Sequence, residues 1–303
     1  MLSEKRYLPI WFYIGIIILS ALIIMASLKV KFFQQWATPI FWTSYILILD
    51  GIIYSFKGKS FLFSIEFIVV FILSILTWWY FEWVNIFLSN WHYTGLPNLL
   101  ERYIGYIWAF GTIIPSVLIT YNLLLLIFRD TKIEFHGIKF SERIITVMIL
   151  LGILFILLPI IPFSLSFIER SADKKLFFFL EWININYGQY LAFATWTSLF
   201  LILDPINYTL QKPSIIGYIE KGNYKVILLL SITGIICGFL WESVNYLLAT
   251  TKWYYTVPIL ENIKIFEMPI LGYLGFITFA WEIYDIISFT YKPAIMKIQE
   301  WFI

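Results

Sequence analysis

The chain has little that would let it live in water or hold a metal. Charged residues make up 13% of its 303 positions, against a typical soluble share of about 25%. A water-exposed surface cannot be built from that stock, so the soluble, disordered, fibrous and nucleic-acid-binding classes are excluded. There is one cysteine, Cys237, which rules out an intramolecular disulfide and any Cys-rich metal site. The two histidines do not form a ligand pair, because His92 and His136 are expected on opposite sides of the membrane. No cofactor is implied. Net charge is only +2 and no basic run is present, which speaks against a polyanionic partner.

What is abundant is apolar and aromatic: 61% hydrophobic residues, 21% Phe, Trp and Tyr, and a mean hydropathy of +0.83. A membrane span uses about 20 apolar residues. Eight runs of that kind are predicted, at 9–28, 38–56, 62–88, 103–128, 142–162, 188–210, 225–248 and 268–291. The expected fold is therefore all-α, a polytopic integral membrane protein of about eight transmembrane helices. The polar stretch 163–187 reads as a short amphipathic piece at the outer interface.

Basic residues sort by side. The termini and the 57–60, 129–143 and 211–225 turns carry 13 of the 21 Lys and Arg, and the opposite turns carry eight. The positive-inside rule then puts both termini in the cytoplasm of a cell inner membrane.

An internal repeat organises the chain. FWTSYILILDGIIYSF (41–56) recurs as TWTSLFLILDPINYTL (195–210), aligning Trp42 with Trp196, Ser44 with Ser198 and Asp50 with Asp204. FEWVNIFLS (81–89) recurs as WESVNYLLA (241–249), aligning Glu82 with Glu242 and Asn85 with Asn245. NWHY (90–93) matches KWYY (252–255), and GYI (105–107) matches GYL (272–274). The reading is two four-helix repeats, 1–140 and 141–303. An even helix count inserts both the same way up, about an axis along the membrane normal.

Seven acids lie inside the spans with no Lys or Arg beside them: Asp50, Glu66, Glu82, Asp204, Glu242, Glu282 and Asp285. Intramembrane carboxyls are functional candidates by default. Glu242 with Asn245, and the corresponding Glu82 with Asn85, sit three residues apart on one helix face. A carboxyl beside an amide suits acid catalysis or ion coordination, and equally suits interhelical bonding. Trp78 and Trp79 precede Glu82 where Gly238 and Phe239 precede Glu242. Asn207, Glu282 and Asp285 stand where the first copy has Ile53, Pro115 and Leu118. Space and polarity thus gather in repeat two, which is expected to hold the working site, with Glu242 and Asn245 as the catalytic pair. Asp204, Asn207, Glu282 and Asp285 form an inner polar layer, and Glu267, Trp253 and Tyr255 lie at the outer end with Glu242. In 266–276, Pro269 reads as a helix start, and Gly272 and Gly275 as sites of close helix packing.

WESVN, KWYYTVP and FEMPILGYLGF together resemble a family of uncharacterised polytopic bacterial membrane proteins. There is a fainter similarity to membrane carotenoid cyclases and hydratases, in which an aromatic loop precedes a helix entrance bearing Pro and Glu. That similarity would fall on Trp253, Tyr255, Pro258, Glu267 and Pro269, without the cyclases' Pro-x-Glu-Glu. Three functions stay open. One is binding or modification of a membrane lipid or lipophilic, isoprenoid-like small molecule. The others are proton- or cation-coupled transport and a structural or assembly role.

Overall fold

The computed structural model describes residues 7–168 and 188–300. The expected amphipathic piece at 163–187, with Glu169, Arg170, Asp173, Lys174, Lys175 and Glu181, falls mostly outside them. The chain is mostly helical. In order the helices are α1 (Ile10–Ser27), α2 (Lys31–Gln35), α3 (Ala37–Lys57), α4 (Ile65–Leu88), α5 (Leu99–Gly111), α6 (Ile113–Ile127) and α7 (Glu142–Ile168). After a 3-10 turn at Gly188–Leu191 come α8 (Ala192–Thr209), α9 (Ile215–Glu220), α10 (Lys225–Leu247) and α11 (Gly272–Glu300).

Six stretches are long and apolar enough to cross a membrane: α1, α3, α4, the α5–α6 pair, α7 and α10. The predicted runs at 188–210 and 268–291 are helices as well, α8 and α11, but they fall short of that apolarity. The reason lies on their inner faces. Ser198, Asp204 and Asn207 of α8 and Glu282, Asp285 and Ser288 of α11 are buried polar residues. By contrast α1 and α7 leave most of their apolar side chains exposed, as lipid-facing helices do.

Packing inside each half starts from a glycine. A Cβ added at Gly15 of α1 would lie 3.0 Å from the Ser44 carbonyl and against Leu47 and Ile48 of α3. One added at Gly152 of α7 would lie 2.8 Å from the Ser198 carbonyl and against Leu201 and Ile202 of α8. Only glycine allows either approach. Between the halves, Trp42 of α3 meets Trp241 of α10 at 4.7 Å, while Trp196 of α8 stacks on Phe81 of α4 at 4.8 Å.

The all-α expectation holds, with two short strand pairs added among the described residues. The matched NWHY and KWYY segments pair with each other: β1 (Trp91–Thr94) and β2 (Lys252–Tyr255) are antiparallel, with Trp91 opposite Tyr255 and Tyr93 opposite Trp253. Alternation along a strand sends these four aromatic side chains to one face. His92 and Tyr254 take the other, with rings 5.3 Å apart. A second small pair, β3 (Lys264–Ile265) with β4 (Met268–Pro269), turns at Phe266 and Glu267. Pro269 therefore ends a strand and does not begin the last helix, which starts at Gly272.

Candidate functional site

Two glutamates hold the β1–β2 pair from below. Glu82 Oε1 accepts from Trp78 Nε1 at 2.9 Å, from Trp91 Nε1 at 3.3 Å and from the Tyr93 hydroxyl. Glu242 Oε1 accepts from Trp253 Nε1 at 3.2 Å and from the Tyr255 hydroxyl at 2.8 Å. Burial, and next the neighbouring carboxylates, push the Tyr93 and Tyr255 phenols up, so both remain neutral donors.

The amides beside them do a different job. Asn245 Nδ2 donates to the Trp253 carbonyl at 2.8 Å, and its Oδ1 accepts from Trp253 N at 3.0 Å. Asn85 does the same for β1, donating to the Trp91 carbonyl at 2.8 Å and accepting from Asn90 N and Trp91 N. Each asparagine thus fixes a strand by its backbone. Neither lines the cavity described next.

A cavity of about 480 Å³ lies under this end of the bundle, within the usual range for small-molecule sites. Trp91 and Tyr93 of β1, Trp253 and Tyr255 of β2, and Glu242 and Trp241 of α10 form one side. Trp78 of α4, Arg102, Tyr106 and Phe110 of α5, Trp196 of α8, and Gly275 and Phe279 of α11 complete it. At its rim, Phe193 is 69% exposed and Leu274 is 58% exposed, on surface that faces lipid in a spanning chain. The walls come from both halves. The working site expected in the second half thus draws on the first as well, and Trp91, Tyr93, Tyr106 and Arg102 are site residues that motif reading did not single out.

The two glutamates differ in one donor. Trp78 stands one turn before Glu82 and bonds it, whereas the corresponding Gly238 has no side chain to offer Glu242. The space so freed is not open, since a Cβ at Gly238 would lie 2.2 Å from the Phe276 ring. What remains is an unused acceptor: Glu242 Oε2 is buried with no hydrogen-bond partner. Glu242 lines the cavity and Glu82 does not. Gly275, expected to mark close packing, has no atom within 4 Å of an added Cβ and faces the cavity.

The inner acids lie elsewhere. Asp204 accepts from Ile215 N at 2.5 Å and Ile216 N at 2.9 Å, fastening α9. Asp50 accepts from Phe61 N at 2.8 Å and Leu62 N at 3.1 Å, and also from Ser60 and Trp11. Both carboxylates reach residues 11 and 12 positions ahead and lock a turn. Asp285 interacts with the Asp204 carboxyl, and its own carbonyl accepts from Asn207 Nδ2 at 3.0 Å. Glu282 Oε1 accepts from Leu199 N at 3.1 Å. Glu267 sits half-buried in the β3–β4 turn, within electrostatic reach of Glu242 but off the cavity wall. Of the expected site residues, the structure brings together Glu242, Trp253 and Tyr255, with Asn245 behind them. It keeps Asp204, Asn207, Glu282 and Asp285 apart from the cavity.

His92 Nε2 lies 3.3 Å from the Thr256 hydroxyl, and no group of three or more His, Cys, Asp or Glu placed for a metal occurs among the described residues. No family model, curated protein or solved structure matches the chain.

Proposed function

We propose that this chain is an eight-span membrane protein, built from two parallel four-helix repeats, which binds a membrane-soluble ligand of isoprenoid or lipid type in the aromatic cavity between them. The observation that carries this reading is the pairing of a wide aromatic chamber with a single carboxyl, Glu242, whose Oε2 has no protein partner. An apolar ligand gains from the walls by burial. A hydroxyl or a protonatable double bond on it meets a carboxyl able to accept or deliver a proton. Aromatic faces around it would stabilise positive charge that develops on the ligand.

The duplication is supported by the matched locks of Asp50 and Asp204, the matched glycine contacts of Gly15 and Gly152, and the exchanged ring contacts of Trp42 with Trp241 and Trp196 with Phe81. Treating α8 and α11 as spans follows from their length, since 18 residues cover about 27 Å. With the basic turns inside, both termini are cytoplasmic and the cavity faces the outer leaflet of the inner membrane.

The test is the thermal stability of the purified chain in neutral detergent, titrated with geranylgeraniol. A ligand that binds only the folded state raises the melting temperature saturably. Wild type should show that rise, and Glu242→Gln should show a smaller one with the unliganded melting temperature kept. No rise in folded wild type would reject the reading.

A further inference from the structure

Two charged side chains line the cavity, Arg102 and Glu242, and they are not paired with each other. The Arg129–Asp130 ion pair lies elsewhere, at the surface. Arg102 stands in the first turns of α5, directly after β1. Its Nη2 donates to the Pro97 carbonyl at 3.3 Å, and its Nε is buried with no acceptor. A guanidinium has five donors in a planar fork, and a buried donor without an acceptor is costly. A cation at the edge of an apolar chamber calls for an anion still more strongly.

The stripe below Arg102 shows what that anion is attached to. Arg102, Tyr106 and Phe110 follow at steps of four, so they share one face of α5, and all three line the cavity. Tyr106 and Phe110 are stacked, with centroids 5.0 Å apart and planes within 9°. Over about 12 Å of helix rise the wall passes from cation to phenol to bare ring.

We infer that the cavity takes an anionic amphiphile, an isoprenoid or fatty chain ending in a phosphate or carboxylate, with its head on the Arg102 guanidinium and its chain along Tyr106 and Phe110. The planar fork of arginine matches both head types with paired hydrogen bonds. This rests on the reading of the cavity as a lipophilic site and adds the class of head it selects.

The experiment compares geranylgeranyl phosphate, geranylgeraniol and inorganic phosphate as ligands for the purified chain in neutral detergent, with wild type, Arg102→Gln and Arg102→Lys. Wild type should bind the phosphate ester about tenfold or more tightly than the alcohol, from charge-assisted hydrogen bonds that the alcohol cannot make. Arg102→Gln should erase that preference, bringing ester and alcohol to equal affinity, and Arg102→Lys should keep part of it. Inorganic phosphate alone should not bind measurably. Equal affinity of wild type for ester and alcohol overturns the head assignment without any variant, as does a preference that survives Arg102→Gln. Tight binding of inorganic phosphate would make the site a free-anion site and overturn the amphiphile. If neither isoprenoid binds the folded chain, the lipophilic cavity itself is refuted.

Discussion

Trp91 and Tyr255 face each other across the β1–β2 pair, and each donates to a different glutamate, Trp91 Nε1 to the half-buried Glu82 at 3.3 Å and the Tyr255 hydroxyl to the buried Glu242 at 2.8 Å. One small sheet thereby ties α4 to α10, and it roofs a cavity to which both strands contribute. The carboxyls that looked like repeated catalytic groups are also the anchors of that roof.

Their donor counts set different stabilities. Glu82→Leu strands three donors, whereas Glu242→Leu strands only the Tyr255 hydroxyl, because Trp253 Nε1 also donates to the Tyr255 oxygen at 2.9 Å; each orphan costs roughly 1–3 kcal/mol. Gln at either position keeps an acceptor oxygen. Thermal unfolding in detergent should rank the loss as Glu82→Leu, then Glu242→Leu, then the Gln variants. A larger loss at Glu242 would show that donor satisfaction is not what the pair provides.

Asp50 and Asp204 are predicted to act as turn locks with no part in ligand binding. Asp204→Ala leaves Ile215 N and Ile216 N without their acceptor, and Asp204→Asn restores part of it. Hydrogen exchange at 215–216 should speed up strongly in the first and mildly in the second, with stability falling by roughly 1–3 kcal/mol per orphaned donor. Ligand affinity should stay as in wild type. A large change in affinity with no change in exchange would return Asp204 to the ligand path.

Two glycines that look alike in sequence should behave oppositely. Gly275 has open space around it, so Gly275→Leu should fill the chamber and abolish ligand binding. Its stability should hold or rise by about 0.5–1 kcal/mol from helix propensity. Gly238→Val drives a side chain into the Phe276 ring and should cost about 1–3 kcal/mol or more. Melting curves with a binding titration separate the two outcomes.

Alkaline pH probes the roof. The Tyr93 and Tyr255 phenols lie above their ordinary value in the fold because of burial, so the folded state holds these protons more tightly than the unfolded chain does. Their stabilising contribution is complete below the unfolded tyrosine pKa of about 10 and is lost as pH rises from there toward the folded values. Stability measured between neutral pH and 12 should fall above about pH 10, with a shallower slope in Tyr255→Phe. An unchanged slope in that variant would mean Tyr255 is not linked to folding.

The helices were legible because long apolar runs bounded by charge leave no other structure. The proposed repeat was read from Asp50 with Asp204 and from Glu82 with Glu242, since polar residues stand out in an apolar text. Gly15 and Gly152 did not, because a glycine signals close approach only when its neighbour is known. The β1–β2 pair was missed for the same reason: Trp and Tyr near a span end read first as interfacial anchors, and only the long-range pairing gives them one face. Arg102 looked like one more loop charge until α5 placed it in line with Tyr106 and Phe110. Position along the spans separates Glu242 from Asp204, but it does not show that Asp204 faces backbone amides while Glu242 faces a cavity.

The most direct test of a lipophilic ligand beside Glu242 is photo-crosslinking with a diazirine-bearing geranylgeraniol, mapped by peptide mass spectrometry on the purified chain. Labels should fall on 91–110, 190–196, 241–255 and 272–279, should be competed by unlabelled alcohol, and should vanish in Gly275→Leu. Labels spread over the exposed faces of α1 and α7, indifferent to competitor and to that substitution, would contradict the account.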